Sequence, residues 1–196
     1  MKTTIIFSFM VLIMMCSCNK GDKKDASKAD FGIYEIVDKQ SLSESFMDSL
    51  KNSNLKFEPD SKRPVIGYVA KSDFDSNAFS FQNAGIKPAI TAYPVDGAGK
   101  YHAFVAIKCM SAVGISDIQS TQPIATSVEI RFNRNGAKKW AEFTRNHINN
   151  QVAFLINGEI YSMPRIAAEI RNGRTRIDGF ENEEMADKVA QSLNGE

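Results

Sequence analysis

The 196-residue chain carries 24 Lys and Arg against 23 Asp and Glu, and 43% of its residues are hydrophobic. That balance gives no overall field to gather nucleic acid or an acidic polymer, and the ordinary hydrophobic and charged fractions exclude a disordered or fibrous chain. Once a leader is set aside, about 165 residues are left to fold, enough for one domain or two small subdomains sharing a core.

Met1-Lys2 is followed by an apolar run from Ile5 to Met15, the hydrophobic stretch expected of an export signal. The run is too short to span a bilayer, which takes about 20 residues. Met15-Cys16-Ser17-Cys18 then places a small residue before a cysteine, and this resembles a bacterial lipobox. Residues 1–17 are therefore expected to be a lipoprotein signal peptide, with the mature protein beginning at a lipid-modified Cys18. Cys16 is the alternative acceptor, disfavoured by the bulky Met15 before it. Residues 18–30 are polar and of mixed sign, and read as a tether between the lipid and the folded part. Cys109 has no disulfide partner if Cys18 carries lipid, and in an apolar alternating stretch it reads as a buried, inert thiol.

Phe31 to Val37 predicts a strand, and Ser41 or Ser43 can cap a helix carrying Leu42, Phe46, Leu50 and Met47 on one face. Residues 52–63 are loop-like, and a strand is predicted over Val65 to Lys71 after Pro64. Asp96-Gly97-Ala98-Gly99 is a turn between predicted strands at Ala89 to Val95 and Tyr101 to Lys108. Residues 31–100 are taken as an N-terminal α+β portion of undefined type.

Val128, Ile130 and Phe132 alternate along a strand, after which Asn133 can cap a helix from Arg134 to Asn149 with Ala137, Trp140, Ala141, Thr144 and Ile148 inward. Val152 to Ile156, the pair Asn157-Gly158 and Glu159 to Ser162 form the strongest hairpin signal in the chain. A helical turn is expected at Ile166 to Ile170, a turn at Asn172-Gly173 and a strand at Arg174 to Ile177. Glu181 to Leu193 predicts a last helix with Ala186, Val189, Ala190 and Leu193 inward, stopped at Asn194-Gly195. The expected class is α+β: two layers, a mainly antiparallel sheet with helices packed on one face.

The order of Gly136-Ala137-Lys138-Lys139, Thr144, Asn157-Gly158, Ser162-Met163-Pro164, Asn172-Gly173, Ile177-Asp178-Gly179-Phe180 and Glu183-Glu184-Met185-Ala186, closed by Gly195, is similar to the head subdomain of the first periplasmic region of SecD and SecDF. Upstream, Ile107 to Met110 and Gly114-Ile115-Ser116-Asp117-Ile118 look like the strand and entry segment of that family. The resemblance covers roughly residues 101–195, so residues 101–196 are expected to be a head-like subdomain. Trp140 stands where the family usually has phenylalanine, the last helix carries one extra residue near Asn182, and no transmembrane segment follows Gly195. The resemblance thus implies a periplasmic module without the translocating membrane helices.

No catalytic residue, cofactor site or metal site is expected. His102 and His147 read as structural, and a Cys109 pair with either lacks an orienting third group. Gly97-Ala98-Gly99 lacks the following lysine and helix of a phosphate loop. Arg165, Arg171, Arg174 and Arg176 are the candidate partner-binding residues, and Phe79, Phe81 and Tyr93 a candidate peptide-binding patch with a core role equally open. The leading expectation is a non-catalytic, lipid-anchored envelope module, outside the cytoplasm, that contacts exported polypeptides or a Sec-associated or other envelope complex and no nucleic acid. The alternatives are an envelope hydrolase built on Asp73, Asp75 and Asp96, and a purely structural lipoprotein.

Overall fold

The computed structural model describes residues 29–51, 55–57, 64–75 and 85–195. The expected signal, Cys16, Cys18, the tether as far as Lys28, the side chain of Phe46, Phe79 and Phe81 lie outside the described residues. In chain order the elements are β1 (Phe31–Glu35), α1 (Glu44–Lys51), β2 (Lys56–Phe57), β3 (Gly67–Ala70), β4 (Ile86–Ile90), β5 (Tyr101–Lys108), β6 (Val113–Gly114), β7 (Ile118–Ile124), β8 (Ser127–Phe132), α2 (Arg134–Asn146), β9 (Val152–Ile156), β10 (Glu159–Ser162), β11 (Arg174–Asp178) and α3 (Glu183–Asn194).

The class is α+β, and the strands form three antiparallel sheets ordered β10-β9-β1-β6, β11-β8-β7 and β2-β3-β5-β4. Single bridges from Ile36 to Ile107 and from Thr91 to Ile160 join the first and third sheets on both sides. Strands β1, β5, β4, β10 and β9 thereby run round a closed ring. Sheet membership crosses the expected division at residue 100: β1 pairs with β9 and β6, while β5 pairs with β3 and β4.

Alternation along the strands builds three cores. Strand β5 turns Ala103, Val105 and Ile107 into the ring, where they meet Ala153, Leu155 and Ile160. Its other face gives Phe104 and Ala106 to a core closed by Leu50 of α1. Strand β9 likewise turns Val152, Phe154 and Ile156 outward against Trp140, Ile130 and Leu193, under α2 and α3. Both strands are covered on two faces, which is why each reads as a near-continuous apolar run.

The β9–β10 turn has φ of 51° at Asn157 and 85° at Gly158, the paired positive values that a tight hairpin turn favours. The Asn157 side-chain oxygen accepts the Asp30 N–H at 3.0 Å, and the Asn157 N–H returns a bond to the Asp30 carbonyl at 2.8 Å. Ala29 is buried and donates to the Ser192 carbonyl at 3.1 Å. The last two residues of the expected tether are thus docked on the hairpin and on α3.

Helix α2 is held at its start from two sides. Asn133 caps it, accepting from the N–H groups of Asn135 and Gly136 at 3.0 and 2.9 Å. A Cβ on Gly136 would lie 2.6 Å from the Asp117 carbonyl oxygen, so only glycine lets the helix come this close. The buried Asp117 carboxylate then receives Lys139 Nζ at 2.9 Å on each oxygen, with the Gly114 N–H at 3.1 Å. Across the helix Gly173, at φ 65°, would push a Cβ to 2.8 Å from that of Ala137.

Among the described residues the structure departs from the sequence reading at several further places: β2 lies within the loop-like 52–63 stretch, and Cys109 is partly exposed instead of buried. Helix α2 stops at Asn146, so Ile148 falls beyond its cap and is 43% exposed instead of inward. Residues 166–170 form no helical turn; this extended segment is held by the Ile170 N–H donating to Thr144 Oγ1 at 2.9 Å. The strand expected at Ala89 to Val95 is shifted to β4, because residues from Ala92 leave the ladder for the turn before Tyr101. Strand β7 was not expected, having a polar sequence with Pro123 in it. Its outer edge is covered at Thr121 by the Asn194 side chain of α3, which accepts the Thr121 N–H at 2.9 Å.

Trp140 is buried beside Phe132 and Phe154, yet its indole N–H finds no acceptor among the described residues. Trp140→Phe removes that orphaned donor and should shift urea-unfolding stability by less than about 1.5 kcal/mol, whereas Trp140→Ala should cost about 3–5 kcal/mol. Gly136→Ala, which in an open helix would stabilise, should here cost about 1–3 kcal/mol by the same measurement.

Candidate functional site

The ends of β1, β5 and α2 meet around two contiguous depressions of about 470 and 440 Å³ that share Glu35 and Lys108. The first is polar, lined by Asp38, Gln40, Ser41, the 149–151 loop and Arg165. The second is apolar, lined by Cys109, Met110, Ala112 and Phe143 with His147. Together they form one groove with a polar and an apolar half.

Local bonding explains its walls. After β5 the Cys109 N–H donates to the Gly85 carbonyl and the Ala112 N–H to the Ile33 carbonyl, each at 2.8 Å. The segment between them bows outward, and Met110 is left 82% exposed. His147 closes α2, its Nδ1 facing the Phe143 carbonyl at 2.8 Å and its Nε2 lying 3.4 Å from Glu35 Oε2. Its ring packs on Phe143 with centroids 4.1 Å apart. Asn149 takes φ 69° and bonds the Ile166 carbonyl at 2.7 Å, while the Arg165 guanidinium donates to the Asn149 carbonyl. Lys108 makes no ion pair or side-chain hydrogen bond among the described residues.

Of the four arginines singled out in the sequence, Arg165 stands in this groove and the other three stand apart, each against a carboxylate. Arg171 pairs with Glu169 at 2.7 Å, Arg174 with Glu129 at 3.3 Å and Arg176 with Asp178 at 2.7 Å. The Arg171 guanidinium bonded to Glu169 holds that carboxyl below its ordinary range. Tyr93 packs edge-on against Tyr161 at 5.7 Å, and burial pushes its phenol up. His102 is buried with Nδ1 at 2.6 Å from the Thr91 carbonyl, a structural bond.

Of the three aspartates of the hydrolase alternative, Asp96 and Asp73 each take hydrogen bonds from their own local segment. Asp96 spans its own turn, accepting the Tyr101 and Lys100 N–H groups at 2.7 and 2.9 Å, and these bonds, that of Tyr101 foremost, hold its carboxyl below the usual range. Asp73 takes the Ser72 hydroxyl at 3.0 Å. Cys109, His147 and Glu35 do line one depression, the residue types of a thiol hydrolase, but both imidazole nitrogens are already engaged, by the Phe143 carbonyl and by Glu35. Among the described residues no three side chains could share a metal ion, and no helix is long and apolar enough to cross a membrane.

Sequence reading missed Lys108, Met110 and Glu35 as site residues. The signal present was the continued alternation of β5, which sets Lys108 and Met110 on the same side as Phe104 and Ala106 just where the strand runs out.

A sequence model of the SecDF P1 head subdomain matches residues 94–196, more than half of the chain. SecD of Rhodobacter capsulatus is 29% identical over 131 residues, covering 64% of this chain and 24% of that protein. SecD of Acidaminococcus fermentans is 35% identical over 72 residues, which are 37% of this chain and 16% of that one. SecDF of Thermus thermophilus is 35% identical over 66 residues, 34% of this chain and 9% of that protein. The chain thus spans at most about a quarter of the length of these relatives. A solved SecDF, described as a membrane component that enhances protein export, shares the fold over 86% of this chain and 63% of its own, with a TM-score of 0.50 at 15% identity.

Arg171→Ala should return the Glu169 carboxyl toward its ordinary value in an NMR titration. Because the folded-state value is depressed, the pair's contribution is present at neutral pH and fades as pH falls through that lowered value. A double-mutant cycle on Glu35 and His147 should give a coupling of about 1 kcal/mol or less, since both side chains keep solvent contact.

Proposed function

Because the chain belongs to the SecDF P1 head subdomain family, we propose that it is a non-catalytic envelope module which contacts exported polypeptide alongside the Sec translocon. The observation that carries this reading is the family match over residues 94–196, supported by a groove that offers an extended chain an apolar wall beside a polar one. In this reading residues 1–17 are a signal peptide, Cys18 bears the lipid, and the segment from there to the docked Ala29 links membrane to fold outside the cytoplasm. Of the four candidate arginines Arg165 lines the groove, its guanidinium on the Asn149 carbonyl, and Arg171, Arg174 and Arg176 each pair with a carboxylate.

A photo-crosslinker introduced at Met110 in cells should capture exported polypeptides or Sec-associated proteins, and the same probe at Ala98, on the exposed turn before β5, should not. Capture of cell-wall material alone, or equal capture at both positions, sinks the link to translocation and leaves the family and fold standing. Metabolic labelling with a fatty-acid analogue should mark the wild type and Cys16→Ala but not Cys18→Ala; label surviving in Cys18→Ala moves the anchor.

A further inference from the structure

Building on the reading of the groove as a polypeptide contact, we propose that it selects extended segments in which an acidic side chain neighbours an apolar one, with Lys108 taking the carboxylate and the Met110–Phe143 wall taking the apolar group. The argument is one of charge left over. Of the two carboxylates at the groove, Glu35 lies against His147 at 3.4 Å and Asp38 accepts the Gln40 N–H at 2.9 Å. The Arg165 guanidinium is turned to the Asn149 carbonyl. Lys108, half-buried and common to both depressions, is the cation there with no bond of its own among the described residues.

A partly desolvated ammonium is most favourably completed by a carboxylate, and a bound chain would desolvate it further. Immediately beside it the lining changes to Met110, Ala112 and Phe143, which offer nothing to a polar group and a soft, adaptable surface to an aliphatic or aromatic one. Because lysine is a compact point charge without the fork of arginine, it asks for a carboxylate but sets little demand on its orientation. The selectivity is therefore for a pattern and not for a sequence.

The test uses the full chain in nanodiscs and fluorescence anisotropy with three extended ten-residue peptides that are identical except at one residue two positions from a leucine, which is Glu, Gln or Lys. The Glu peptide should bind about fivefold or more tightly than the Gln peptide, and the Lys peptide more weakly than either, with the differences shrinking as salt is raised. Lys108→Glu should reverse the order, Lys108→Met should abolish it, and Met110→Ser, which removes apolar surface without adding charge, should weaken all three peptides alike. Equal binding of the three peptides to the wild type overturns the inference while peptide binding itself survives. Binding of none removes the polypeptide reading as well. A Glu preference that persists in both Lys108 variants, each checked for an unchanged unfolding midpoint, shows that another group takes the carboxylate and equally overturns the assignment.

Discussion

The structure depends on one long-range pairing, the insertion of β1 between β9 and β6. Phe31 faces Ile156 and Glu35 faces Val152 in a five-residue register, with more than a hundred residues of chain between the partners. That ladder supplies the middle of the first sheet, puts Ile33 into the core beneath the helices and Tyr34 into the ring, and carries the chain on to the Ile36–Ile107 bridge. Without β1 the ring is open and β9 loses cover along one edge. Contacts so distant in sequence can form only after large loops have closed, so the N-terminal strand is held by an arrangement that the rest of the chain must already have made.

A second constraint explains why a motif that looks like surface composition behaves as architecture. Gly136-Ala137-Lys138-Lys139 opens α2 with the smallest residue against the Asp117 backbone and sets a lysine one turn later where the buried carboxylate needs it. Glycine is a poor helix former, and the cost is offset by the close approach that it permits and the charge pair this brings within reach. Gly173 does the same on the far side, with its carbonyl accepting the Phe132 N–H at 2.9 Å. The spacing that marks the family is thus the spacing needed to clamp the head of one helix between two chain segments.

What could be read in the sequence was what local chemistry decides. The Asn157-Gly158 turn, the Asn133 cap, the stripe of α3 and the alternation of β8 each lie within a few residues and each reappears in the structure. Strand β7 escaped notice because its partner on one edge is a side chain, Asn194, from the far end of the chain. The ring and the crossing of the boundary at residue 100 depend on pairings that no window of sequence contains. The groove was illegible for a different reason: its members are an ordinary lysine, a methionine and a glutamate, set apart by a strand end that leaves Met110 outside and Lys108 without a partner among the described residues. The arginines, conspicuous by their number, are mostly matched by nearby acids.

The strand that organises the fold also joins its two ends. Residues 29–30 enter beside the Asn157-Gly158 turn, and five residues later Glu35 stands in the groove, about 15 Å away along an extended chain. A load pulled between the chain's entry point and anything seated in the groove therefore runs parallel to β1. Its ladder bonds to β9 would then be strained in shear, all at once, and not peeled open one after another as in a hairpin drawn apart from its tips. The line from the point of entry to the groove is thus the direction along which β1 and its ladder to β9 lie.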